Sequence, residues 1–137
     1  MRTALDSNIL SALWSREPSA PAIGLQLKRA RDAGGISVCA PVYAECIAHP
    51  AVTKEFIDSF LMTTGITVDF DLDEEIWHTA ALGFRAYAER RRSSGGGLSK
   101  RFLVDFVVGA HALLRSDRLL TLDPSRYQRD FPKLMLV

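Results

Sequence analysis

Short apolar runs alternate with helical-period segments along this chain, and proline or glycine stands at the handovers. Arg2 to Leu5 is a short strand, and Asp6-Ser7-Asn8 behind it offers cap oxygens to a helix in which Ile9, Leu10, Leu13 and Trp14 recur at helical spacing. A second amphipathic stretch follows Pro18 and Pro21, with Ile23, Leu25, Leu27 and Ala30 among basic residues, and stops at Gly34-Gly35. Ile36 to Cys39 is the next strand. Pro41 suits the first turn of the helix that follows it, because its missing N–H has no partner to lose there. Val52 to Thr63 puts Phe56, Ile57, Phe60 and Leu61 on one face, Gly65 ends it, and Ile66-Thr67-Val68 reads as a strand. From Asp73 a longer helix carries Ile76, Ala80, Phe84 and Tyr87, with acids at its positive end and Arg90-Arg91-Arg92 at its negative end. Ser93 to Lys100, with three glycines, reads as a flexible loop. Leu103 to Leu114 is a helix apolar enough to be buried on more than one side, Leu119-Leu120-Thr121 a strand, and Leu134 to Val137 a terminal strand. Strands alternating with helices imply an α/β fold with a mostly parallel sheet covered on both faces.

A chain of 137 residues with 47% hydrophobic residues is the size of one domain with one core. The formal net charge of +1 excludes a polycation, so any affinity for nucleic acid must come from a local basic patch. Cys39 and Cys46 have no CxxC spacing, which points to neither a disulfide framework nor a zinc cluster and makes a reducing cytoplasm the expected compartment. The polar Asp6-Ser7-Asn8 leaves no room for the apolar core of a signal peptide, and no apolar run reaches bilayer length.

Against this frame, four acids fall at informative places. Asp6, Glu45 and Asp123 each follow a strand by a few residues, and Asp105 lies in the first turn of the buried helix. Singly, each has an ordinary role: Asp6 or Ser7 as a helix cap, Glu45 as a surface carboxylate, Asp105 as a partner of the helix dipole, and Asp123-Pro124 as a turn. Jointly, they fall where a parallel sheet opens its ligand crevice, beyond the carboxyl ends of its strands. Crowded carboxylates repel, and a hard divalent cation relieves that repulsion through oxygen ligands. Mg²⁺ or Mn²⁺ suits such a set better than zinc, because no His/Cys ligand group is visible. The chemistry expected of it is metal-assisted hydrolysis of a phosphodiester.

The runs Leu5-Asp6-Ser7-Asn8-Ile9-Leu10, Val42-Tyr43-Ala44-Glu45, Asp105 to Ala112 and Leu120-Thr121-Leu122-Asp123 together resemble a PIN-domain ribonuclease, most closely the VapC-like toxins of prokaryotic toxin–antitoxin pairs. The resemblance covers essentially the whole chain in the right order. It implies a single PIN-like domain over residues 1–137, a three-layer α/β/α sandwich, an acidic metal site of Asp6, Glu45, Asp105 and Asp123 with Asn8 and Thr121 as polar supports, an RNA substrate, an antitoxin partner and a homodimer. An antitoxin is expected to silence such a site with a basic side chain that takes the place of metal. Many relatives carry a further acid shortly after the fourth Asp, whereas Pro124, Ser125 and Arg126 follow here, so one metal is expected rather than two.

Arg85, Arg90, Arg91, Arg92, Lys100 and Arg101 precede Asp105, and such residues bind phosphates through counterion release and guanidinium forks. They are the expected RNA phosphate contacts, set against their plainer role as a solvated helix end. His49, His78 and His111 lack paired spacing and are read as structural or exposed, and Trp14 and Trp77 as core or interface. Two rival readings share the fold: a housekeeping PIN nuclease of RNA processing or of DNA, and a catalytically idle RNA-binding module. Which RNA is cut lies beyond the sequence, because a carboxylate–metal site meets a phosphodiester and not a base.

Overall fold

The computed structural model describes residues 1–96 and 101–137. In chain order the elements are β1 (Thr3–Leu5), α1 (Ser7–Trp14), α2 (Ala20–Ala33), β2 (Ile36–Cys39), α3 (Ala40–Ala48), α4 (Lys54–Thr64), β3 (Ile66–Asp69), α5 (Glu74–Ser93), α6 (Leu103–Arg115), β4 (Arg118–Leu120) and α7 (Ser125–Gln128). The four strands form one parallel sheet in the order β3-β2-β1-β4. Each crossover between parallel neighbours needs at least one helix, and those helices cover the sheet.

Local signals set the boundaries. Asp6 caps α1 by accepting from the Ser7 N–H, Thr53 caps α4 through the Phe56 N–H, and Asp73 caps α5 through the Ile76 N–H. Each satisfies a donor that the first helical turn leaves without a partner. Gly65 ends α4 in the left-handed region at φ 73°, which a side chain would resist. The segment Leu134 to Val137, expected as a strand, makes only a parallel bridge, Leu119 to Leu136. Val137 N–H donates to Leu119 and Leu119 N–H to Met135, so the ladder begins, and Leu134 turns back to bond Phe131 instead.

The core runs through both faces of the sheet: Leu5, Val38 and Leu119 from the strands meet Ile9, Leu10, Ile23, Val42, Ile57, Ile76 and Phe106 from the helices. Helix α6 is buried from Phe106 to Ala112, as its apolar run implied. Trp14 packs edge-on to Phe56 and Phe60. Trp77 stands at the surface, 46% exposed, its indole N–H given to the Leu72 carbonyl. Cys39 and Cys46 are free and buried, and burial pushes their thiols up to about 11 and about 12, away from nucleophilic reactivity. No helix among the described residues is long and apolar enough to cross a membrane.

His111 is buried in α6, with Nε2 2.9 Å from Asp69 Oδ2 at the end of β3. Partial burial pushes the Asp69 carboxyl up, but the His111 hydrogen bond, the Asp71 N–H and the charges of His111 and Arg115 outweigh it and hold the group below 3.8. A carboxyl depressed in the folded state contributes stability above its unfolded value and loses it as pH falls through its folded value. His111→Gln is therefore expected to cost about 1 kcal/mol at pH 5 to 7. The gap to wild type in urea unfolding should close as pH drops below 3.8, and a gap that widened there would refute the assignment.

Candidate active site

Register brings the first two site residues together. Leu5 of β1 pairs with Leu120 of β4, so the next residue of each chain segment, Asp6 and Thr121, lies side by side at the carboxyl edge of the sheet. The Asp6 N–H donates to the Leu120 carbonyl at 3.0 Å, and the Thr121 hydroxyl donates to Asp6 Oδ2 at 2.9 Å. Thr121 Oγ1 in turn accepts from the Asp123 N–H at 3.1 Å and from Asn8 Nδ2 at 3.4 Å, while Asn8 Oδ1 accepts from the Leu122 N–H at 3.2 Å. Asn8 and Thr121 thus tie the start of α1 to the loop after β4, and this knot fixes the backbone that carries Asp123.

Asp6 is 5% exposed, and its remaining support comes from a residue that the sequence reading did not single out. The Tyr127 hydroxyl donates to Asp6 Oδ2 at 2.8 Å from a ring that is fully buried. Burial, the Asp6 charge and this hydrogen bond all drive the phenol's pKa up, so it stays a neutral donor. Three donors, Ser7 N–H, Thr121 Oγ1 and Tyr127 OH, hold a buried carboxylate in one orientation. Tyr127→Phe removes one of them at constant ring packing, and a loss of about 1–2 kcal/mol is expected in chemical unfolding. A variant as stable as wild type would mean the hydroxyl does not hold Asp6.

Glu45 projects from α3, the helix that follows β2, and Asp105 from the first turn of α6. Asp105 Oδ2 accepts from the Phe102 N–H at 3.3 Å, which is its capping role, and Oδ1 faces the Arg126 guanidinium at 3.4 Å. The Glu45 carboxyl is raised above 4.5, first by loss of water on its protein side and then by the charges of Asp6 and Asp105. Asp123 lies at the outer edge, with Oδ2 3.3 Å from Arg126 Nε and Oδ1 accepting from the Ser125 hydroxyl at 2.7 Å.

Arg126 was read from the sequence only as a departure from the family's acidic pattern, yet it touches Asp105 and Asp123 and its charge also bears on Asp6 and Glu45. It spans the acids from a four-residue helix, α7, that has no periodicity to reveal it. An Arg three residues after an Asp was the available signal, and on its own that pair describes many surface turns.

Among the described residues no three His, Cys, Asp or Glu side chains close around one point. Mg²⁺ does not require such a cage, since it keeps several waters and is held through one or two carboxylates. The donor set of Asp6, Glu45, Asp105 and Asp123 is all oxygen, with the Glu45 carboxyl raised by burial and then by the neighbouring acids despite Arg126, and fits an ion of that kind.

The basic residues divide. Arg85 pairs with Glu89 on the exposed face of α5, and Arg92 is exposed beyond it. Arg90 and Arg101 both grip Asp130, whose side chain is 3% exposed, and Arg101 lies over the Phe106 ring at 4.5 Å. Arg91 donates to the Gly96 carbonyl. Lys100 lies outside the described residues.

No family model and no curated protein matches the sequence. Solved structures do match in shape. VapBC2 from Rickettsia felis, crystallised with a DNA fragment from its promoter, superposes with a TM-score of 0.69 at 17% identity, over 100% of this chain and 98% of that one. VapBC-1 from nontypeable Haemophilus influenzae gives 0.63 at 21% identity, over 100% and 97%. The fold is PIN-like. A PIN-like α/β/α sandwich shared over both full chains at such low identity carries the architecture, and the chemistry has to be argued from Asp6, Glu45, Asp105, Asp123 and their neighbours.

Proposed function

We propose that this protein is a metal-dependent endoribonuclease and the toxin of a toxin–antitoxin pair. The observation that supports the reading is the bonded placement of three of the acids: Thr121 ties Asp6 to the Asp123 backbone and Arg126 bridges Asp123 and Asp105, while burial and then the charges of Asp6 and Asp105 raise the Glu45 carboxyl. Asp6, Glu45, Asp105 and Asp123 would hold Mg²⁺ or Mn²⁺, and the bound ion supplies charge neutralisation at the phosphodiester and acidifies an attacking water. Asp6 would serve as an oriented ligand because Tyr127 and Thr121 fix it. Glu45, with its raised carboxyl and exposed position, is suited to receive a proton at its oxygen from a water. The Arg-rich end of α5 and Arg101 supply the positive surface that an RNA backbone needs beside those acids.

The antitoxin follows from the neighbours, which are VapBC complexes, and from Arg126 itself: a guanidinium already rests between Asp105 and Asp123, so a partner's basic side chain can be received the same way. A homodimer belongs to the same reading, with exposed Trp77, Phe70 and Leu82 among the apolar residues available to it.

The test is cleavage of cellular RNA by purified protein with Mg²⁺ or with EDTA, with cleaved 5′ ends mapped beside an Asp6→Asn control. Cleavage that needs metal and Asp6 is expected. Cleavage indifferent to both would end the assignment, and binding of RNA with no cleavage under any metal would leave an idle RNA-binding module.

A further inference from the structure

Beside Arg126 lies a cavity of ≈ 350 Å³ whose walls include Arg90, Arg91, Arg101, Arg126, Arg129 and Asp130. Three separate stretches supply it: the end of α5, Arg101 ahead of α6, and the segment through α7. Asp130 anchors Arg90 and Arg101, the latter at 2.5 Å, and offsets one of the five positive charges. Arg126 is turned to Asp105 and Asp123, and Arg129 is exposed, with no carboxylate at ion-pair distance among the described residues. Guanidiniums gathered this closely repel one another, and a multivalent anion relieves that repulsion. Phosphate matches them best, because each planar fork presents paired donors to two of its oxygens.

We propose that this cavity is a phosphate subsite in which Arg129 and Arg126 bind the anion, Arg126 exchanging its carboxylates for it, while the Asp130-anchored Arg90 and Arg101 form the positive wall. Two of its walls therefore also face the acid site: Arg126 touches Asp105 and Asp123, and Arg101 Nε stands 3.9 Å from Asp105 Oδ2. A phosphate seated there draws the Arg126 guanidinium off Asp123 and off Asp105 Oδ1, while Asp105 Oδ2 keeps the Phe102 N–H and Arg101, so by reciprocity a cation on the freed oxygens favours phosphate in the cavity. That the phosphate belongs to RNA, flanking the cleaved bond, rests on the proposed function. The affinity of the cavity for phosphate rests on its own walls.

The experiment is calorimetric titration of the full chain in EDTA, first with inorganic phosphate and then with a 2′-O-methyl RNA oligonucleotide that resists cleavage. Wild type is expected to bind phosphate, and Arg129→Gln to bind it roughly tenfold more weakly. Lys28→Gln, which removes the same charge from the exposed Lys28–Asp32 pair, should bind as wild type does. Arg129 is exposed, so its variant should retain the fold, which circular dichroism would check. If wild type binds no phosphate, or the two variants lose affinity alike, the subsite is overturned. Phosphate that displaces the oligonucleotide assigns the anion to RNA, and phosphate that binds without displacing it keeps the subsite and removes RNA as its source. Failure of metal-dependent cleavage would end the nuclease reading and leave the phosphate titration intact.

Discussion

Asp105→Asn protein should cleave RNA at no more than about one hundredth of the wild-type rate, a loss of roughly 2.7 kcal/mol or more in transition-state stabilisation. The substitution is chosen because it separates two roles of one side chain. Asp105 caps α6 by accepting the Phe102 N–H, and an asparagine oxygen accepts the same bond, so the helix start survives. What disappears is the negative charge that helps to raise the Glu45 carboxyl and that faces Arg126. The measurements are cleavage by purified protein in Mg²⁺, growth arrest on induced expression, and a melting curve. If cleavage and arrest persist at wild-type level with Tm unchanged, Asp105 has no part in the proposed metal site, which must then be rebuilt around Asp6 without it. Because Asp6 is gripped by Ser7, Thr121 and Tyr127, Asp6→Asn confounds loss of charge with loss of those bonds, which makes Asp105 the cleaner test.

The frame was legible because its signals are local. Alternating strands and amphipathic helices, with Pro41 inside the start of α3 and Gly65 past the end of α4, translate directly into a parallel sheet under helices. Asp6, Glu45 and Asp123 were readable as strand-end residues for the same reason, and the pairing of Leu5 with Leu120 then sets Asp6 beside Thr121. What stayed hidden depends on segments without periodicity. Tyr127 and Arg126 ride on a four-residue helix, Asp130 follows it, and their partners are Asp6 just after β1, Arg90 in α5, Arg101 just before α6 and Asp105 within it. Nothing in residues 123 to 131 taken alone announces that this stretch supplies a donor to a buried carboxylate, a cation to the acids and an anion for two arginines. The basic residues, expected as RNA phosphate contacts, were opaque in a related way: their sequence does not say which of them meets a carboxylate, and Asp130 draws Arg90 and Arg101 inward while Arg85 stays with Glu89 on the surface.

That same segment makes Gly109 a sensitive position in α6. A Cβ on Gly109 would stand 2.3 Å from Cε2 of Phe131 and 2.6 Å from its Cδ2, inside any permitted contact. Helix propensity alone predicts that Gly109→Ala stabilises the protein, by up to about 1 kcal/mol. Packing predicts the reverse, because Phe131 is 3% exposed, lies against Phe106, and follows the Asp130 that holds Arg90 and Arg101, so the ring has little freedom to retreat. Overpacking of a buried site costs about 1–3 kcal/mol and occasionally more, and a contact this short belongs at the upper end. We expect a net destabilisation of about 2 kcal/mol and a fall in Tm on the order of 5–10 °C. Pushing Phe131 outward also shifts Tyr127 and Arg126 on the same short segment, so RNA cleavage should fall even where the variant remains folded. A second substitution, Phe131→Leu, makes room beside residue 109 and should cost less in the Gly109→Ala background than in wild type, a coupling that a double-mutant cycle would measure. An unchanged or raised Tm for Gly109→Ala would mean that α6 and the 123 to 131 segment slide apart freely, and the rigid placement of Tyr127 against Asp6 would have to be given up.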